Sequence, residues 1–151
     1  MPTGSDRVSF GMIAAVLSVL IFHQGMWELL HFLRLMPPSY PIDPVGWFGI
    51  PRIYDICLWS ALWGAAFGLL ERRMSRVCPM WALGLALGCL SALDALFVVP
   101  AIKGLPLAGG WEELAFIRAF LIHGFWGLGV GLIFPLLVRL TDPRRTPAWD
   151  R

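Results

Sequence analysis

The chain has 151 residues, 58% of them hydrophobic and 15% charged, with a formal net charge of +2 and a mean hydropathy of +0.70. Average soluble proteins carry roughly 45–50% apolar and about 25% charged residues, so this composition excludes a water-soluble globule and requires a bilayer around much of the surface. Basic residues are scattered at the ends of apolar runs rather than gathered into an aromatic-studded stripe, which leaves no surface for nucleic acid.

The first apolar run, residues 8–35, is long enough to span a bilayer and yet carries His23, Gln24, Glu28, His31 and Arg34. Each such group in hydrocarbon needs a partner, water or a bound ion. At 100° per residue Gln24, Glu28 and His31 share one helix face, with Trp27 beside them and His23 on its flank, and that face is expected to look inward. Residues 23–27 offer no small-x-small cleavage site and the run exceeds signal-peptide length, so it reads as a retained span.

Next comes a connection, 36–52, with Pro37, Pro38, Pro41, Pro44 and Pro51 interleaved with Tyr40, Trp47 and Phe48. Prolines lack an amide donor and fix φ, so the segment reads as an extended or turning interfacial flap. Three further spans follow at 53–70, 79–99 and 114–140, the last opened by Glu112 and Glu113, which suit a helix N-terminus. Arg72, Arg73 and Arg76 between the second and third spans, and Arg139, Arg144, Arg145 and Arg151 in the tail, outnumber Arg52 and Lys103 of the other two connections. By the positive-inside rule both termini are cytoplasmic, in a multi-pass protein of the bacterial inner membrane.

A shift of 63 residues without a gap matches Trp63, Gly64, Gly68 and Leu69 to Trp126, Gly127, Gly131 and Leu132. It also matches Gly25 to Gly88, Pro37 to Pro100 and Gly46 to Gly109. The predicted fold is an all-α four-helix transmembrane bundle, a single integral domain over 1–151. It is built by internal duplication from two tandem in-out-in helical hairpins, about 8–73 and 71–136. Gly64 with Gly68, Gly84 with Gly88, and Gly127 with Gly131 are small residues at four-residue spacing, which let helix backbones approach in lipid, within one bundle or between protomers.

The polar residues fall into two depths. An outer intramembrane layer holds Glu28, His31, Asp94 and Arg118, either a structural ion-pair set or the lining of an outward-facing polar site for a small solute, proton or ion. One metal held by His31, Glu28 and Asp94 is a further option. A di-iron site is not, since Glu28 and His31 form the only E-x-x-H. The middle layer pairs His23 with His123, beside Gly25, Gly124 and Gly127. Two imidazoles at one depth on different helices are what a b-type haem requires, which gives an electron-transfer alternative. Cys57, Cys78 and Cys89 fall at different depths, so no disulfide is expected, and Cys89 reads as a small core residue. Ser60 and Ser91 have no histidine partner evident from spacing, so hydrolysis is set aside and a non-enzymatic role expected.

The run Phe22, His23, Gln24 and the loop around Pro100, Lys103, Gly104 and Pro106, on this topology, resemble small uncharacterised four-span bacterial inner-membrane proteins. The resemblance implies the topology and carries no activity, cofactor or site residue. The remaining functional expectation is a polar intramembrane site or a packing subunit of a larger membrane complex or homo-oligomer.

Overall fold

A computed structural model describes residues 4–45 and 49–141. Four helices are long and apolar enough to cross a membrane: α1, Gly4–Phe32; α2, Arg52–Met74; α3, Met80–Lys103; and α4, Glu113–Leu140. Helices are what such runs must form in lipid, where each backbone N–H and C=O has to be satisfied within its own segment. The architecture is a four-helix bundle, compatible with a multi-pass membrane protein. Gly46, Trp47 and Phe48 of the flap, and the tail arginines Arg144, Arg145 and Arg151, lie outside the described residues.

The helices pack in the spatial order α2, α1, α4, α3, with extensive α1–α2, α1–α4 and α3–α4 contact and only slight contact between α2 and α3. Glycines set the two outer seams. A methyl group at Gly64 would collide with the Gly11 carbonyl, and one at Gly68 with the Arg7 carbonyl, so α1 and α2 touch backbone to backbone. On the other side Gly84 abuts Gly127, Gly88 abuts His123, and Gly131 abuts Met80. Close approach of this kind gains dispersion and excludes lipid where burial of apolar surface gains little.

The central α1–α4 seam is held differently. Trp126, 1% exposed, donates its indole N–H to the Ala15 carbonyl at 3.1 Å, while its own carbonyl accepts the Ser18 hydroxyl at 2.5 Å. Around this pair lies the main core of Ala14, Val19, Phe67, Leu83, Leu87, Val130 and Phe134. At the end of the bundle bearing the N-terminus, Arg7 pairs with the buried Glu71 and its guanidinium lies 5.7 Å from the Phe134 ring centre.

Two helices contain a wide π turn, at Val19–His23 in α1 and Asp94–Val98 in α3. In α3 the cause is Pro100, which has no N–H to give and whose ring would strike the carbonyl of Leu96 in a regular helix. In α1 the Gln24 N–H reaches the Val19 carbonyl, and the intervening Leu20 carbonyl takes the Tyr40 hydroxyl at 2.7 Å. α1 ends in a Schellman motif, with Arg34 N–H bonded to the His31 carbonyl, Leu35 N–H to the Leu30 carbonyl, and Arg34 left-handed at φ 59°. Past it, β1 (Pro44–Val45) and β2 (Ile50–Pro51) form a minimal antiparallel pair. The carbonyls of Asp43 and Pro41 then accept the first N–H groups of α2, from Arg52 and Ile53, at 3.0 Å each.

Two expectations need correction. The gap-free shift of 63 does not describe the packing throughout: Gly64 and Gly127 are 63 apart, but their partners Gly11 and Gly84 are 73 apart. Gly25 stands in open space, whereas Gly88 is pressed against α4. Cys89 is exposed on α3 rather than in the core, and all three cysteines are free.

Candidate functional site

The polar face of α1 is occupied by its own chain. The loop after α1 folds back along it, and four successive contacts pin it there. Gln24 Oε1 accepts the Tyr40 N–H at 2.7 Å. Trp27 donates its indole N–H to the Pro37 carbonyl at 2.9 Å. Glu28 accepts the Ser39 hydroxyl at 2.5 Å, and His31 Nδ1 bonds the Met36 carbonyl at 2.9 Å. Gln24 is fully buried, Glu28 is exposed and His31 half-buried. These residues therefore satisfy backbone that prolines and a tight turn leave without partners in the helix-breaking segment.

Of the outer layer, Glu28 and His31 thus face the loop, and neither reaches Asp94. Among the described residues no three His, Cys, Asp or Glu side chains come together as a metal-binding group. Arg118 is half-buried on α4 with its Nε buried and without a hydrogen-bond partner. No ion pair joins it to Asp94 among the described residues.

The middle layer does come together. His23 and His123 meet edge to face with ring centres 5.7 Å apart and planes at 88°, and the Trp27 ring centre lies 5.9 Å from that of His23 with the planes tilted by 43°. Gln24 Nε2 lies 3.3 Å from His23 Nδ1, and Ser91 Oγ shares a 2.9 Å hydrogen bond with His123 Nδ1. Axial ligation needs both imidazoles edge-on to an iron lying between them, so one of these rings would have to turn and the helices part to admit a macrocycle. The Ser91–His123 contact is one that spacing did not reveal, because 32 residues separate the two. Ser91 is 7% exposed, and no carboxylate among the described residues orients the other histidine nitrogen, so the contact satisfies a buried hydroxyl and a half-buried imidazole rather than arming a nucleophile.

Asp94 stands apart. It opens the π turn of α3 and, half-buried, lines an open groove of about 280 Å³ with Trp59, Leu62, Trp63 and Ala66 of α2. The groove exists because α2 and α3 are the one sequential pair of helices that scarcely touch. No described residue forms a hydrogen bond or ion pair with the Asp94 carboxylate. By residue count it lies roughly 4 Å from the midpoint of α3, at 1.5 Å rise per residue, and Trp63 is the middle residue of α2. Trp59 and Leu62 are 60% and 52% exposed, so the groove opens sideways, on the outer surface of the bundle.

No protein-family model matches the chain, and no curated protein or solved structure matches it either.

Proposed function

We propose that this is a non-enzymatic multi-pass protein of the bacterial inner membrane whose intramembrane site is the lateral groove at Asp94, a binding place for a small solute or ion. The observation that carries the reading is a carboxylate roughly 4 Å from the midpoint of α3, toward its C-terminal end, with no partner among the described residues. On insertion scales an aspartate at a helix centre costs about 2.5–3.5 kcal/mol, and a chain that keeps one without pairing it leaves the pairing to something else. Exposed Arg72, Arg73 and Arg76 beside the α2–α3 turn support placing that end, and both termini, in the cytoplasm, with the groove nearer the outer face.

We also read the two helical hairpins as copies with a length change in one loop. Gly11, Ala15 and Ser18 of α1 correspond at a shift of 73 to Gly84, Gly88 and Ser91 of α3, while Trp63, Gly64 and Gly68 correspond at 63 to Trp126, Gly127 and Gly131. The difference of ten equals the excess of the first hairpin's loop, 33–51, over the second's, 104–112.

The site is tested with dicyclohexylcarbodiimide, a lipid-soluble reagent that modifies protonated carboxyl groups reached from the hydrocarbon phase. Mass spectrometry of the treated protein in lipid should find the adduct on Asp94 and not on Glu71, with the adduct lost in Asp94→Asn. Modification of Glu71 with Asp94 untouched would overturn the reading.

A further inference from the structure

We infer that the groove takes an organic monocation with an apolar body, one that partitions into the membrane before it binds. The inference rests on the groove reading above and adds the class of ligand. Its first support is charge. A single unpaired carboxylate in a wall otherwise made of Trp59, Leu62, Trp63 and Ala66 is complemented by a single positive charge. An anion is repelled, and a neutral solute leaves the carboxylate uncompensated in low dielectric.

The wall then decides between kinds of cation. Hard metal ions require several oxygen ligands to replace their water, and calcium takes six to eight. This groove offers one carboxylate and indole, leucine and alanine surface, which cannot repay the dehydration of a small inorganic ion. Indole faces do attract weakly hydrated cations, tryptophan most strongly among the aromatic side chains. Both tryptophans also sit away from the ends of their helix. Trp63 is at the middle of α2 and Trp59 is one turn from it, so the headgroup-level anchoring that collects tryptophans at helix ends does not account for them.

Shape and access agree. A space of about 280 Å³ is at the lower edge of the roughly 300–1,000 Å³ typical of small-molecule pockets and too small for a docked helix, whose diameter with side chains is about 10–12 Å. Its mouth is on the lipid-facing side between α2 and α3, beside the exposed ring of Trp59. A ligand reaching it must therefore be soluble in hydrocarbon, as cations with spread charge and aryl or alkyl substituents are. The π turn beginning at Asp94 widens the backbone where the carboxylate projects, a common feature of functional positions in helices.

The test uses the full chain in lipid nanodiscs with radiolabelled methyltriphenylphosphonium, its neutral relative triphenylphosphine, and sodium ion. Saturable binding of the phosphonium is expected, displaced by neither triphenylphosphine nor sodium, and protecting Asp94 from dicyclohexylcarbodiimide. Asp94→Asn should abolish binding, Asp94→Glu should retain it, and Trp59→Ala should weaken it about tenfold, the scale of one desolvated cation–π contact. Circular dichroism and a monodisperse elution profile establish that each variant is folded. Equal binding by wild type and Asp94→Asn, or displacement by triphenylphosphine, overturns the inference. Carbodiimide modification of Asp94 without phosphonium protection removes the organic cation and leaves the groove reading standing. Absence of modification removes the groove reading itself.

Discussion

Arg7 and Glu71, 64 positions apart in sequence, form an ion pair at the end of the bundle where α1 begins and α2 finishes. The Glu71 side chain is 2% exposed and that of Arg7 15%, and the Phe134 ring caps the guanidinium. Neither charge can leave the site without exposing the other, so the pair ties the first hairpin shut.

Removing one partner should therefore hurt more than removing both. Glu71→Ala is expected to destabilise the folded protein by about 3–5 kcal/mol, the usual cost of stranding one member of a buried pair. Arg7→Ala combined with Glu71→Ala should recover part of that loss. Thermal unfolding of the detergent-solubilised variants measures both, and a double variant no more stable than Glu71→Ala alone would argue against the pairing.

The glycine seams predict position-specific intolerance. Gly84→Leu drives a side chain into the backbone of Gly127 and should sharply reduce the yield of monodisperse protein, whereas Gly25→Ala, which meets nothing, should be neutral. The comparison is made by fluorescence-detected size exclusion of tagged variants expressed in parallel.

Trp126→Phe keeps the ring and removes the N–H that serves the Ala15 carbonyl. An expected loss of about 1–2 kcal/mol follows from deleting one interhelical hydrogen bond in an apolar setting. Trp63→Phe, whose indole has no hydrogen-bond partner among the described residues, should cost less in the same unfolding assay.

Arg34 occupies a left-handed conformation at the end of α1, which glycine adopts without a Cβ clash. Arg34→Gly should raise stability by up to about 1 kcal/mol, the gain from relieving αL strain less the added freedom of the unfolded chain. The opposite sign in thermal unfolding would show that the Arg34 side chain has a bonding role.

With Cys57, Cys78 and Cys89 replaced by serine, a cysteine at Ser39 should react with an impermeant maleimide added to intact cells, and one at Arg76 only after the inner membrane is opened. The reverse pattern would invert the orientation proposed for the bundle.

Spans and glycine spacing were legible in the sequence because both follow from local rules. Hydrocarbon requires long apolar helices, and small residues one turn apart make a flat helix face wherever they occur. The shared face of Gln24, Trp27, Glu28 and His31 was legible too, but not what it faces. Helical periodicity places side chains around an axis and says nothing about a loop returning along it, so Glu28 and His31, expected in one layer with Asp94, meet Ser39 and Met36 instead. The Ser91–His123 and Arg7–Glu71 contacts escaped for a related reason: each depends on the antiparallel register of two helices. That register is fixed by which glycine opposes which backbone, and a constant shift of 63 does not give it, since Gly11 and Gly84 are 73 apart where Gly64 and Gly127 are 63 apart.

The contacts of α1 and α2 with each other include nothing contributed by later sequence. Gly11 meets Gly64, Arg7 meets Glu71, and the strip from Gln24 to His31 holds its own loop. Once Met74 has been synthesised, everything that closes this pair of helices is present in the chain, so the pair can form without α3 and α4. Phe134 arrives last, about sixty residues later, and covers the Arg7 guanidinium. A chain released after α2 should therefore already form a protease-resistant helical pair, whereas one released after α3 gains no further protection in the absence of α4.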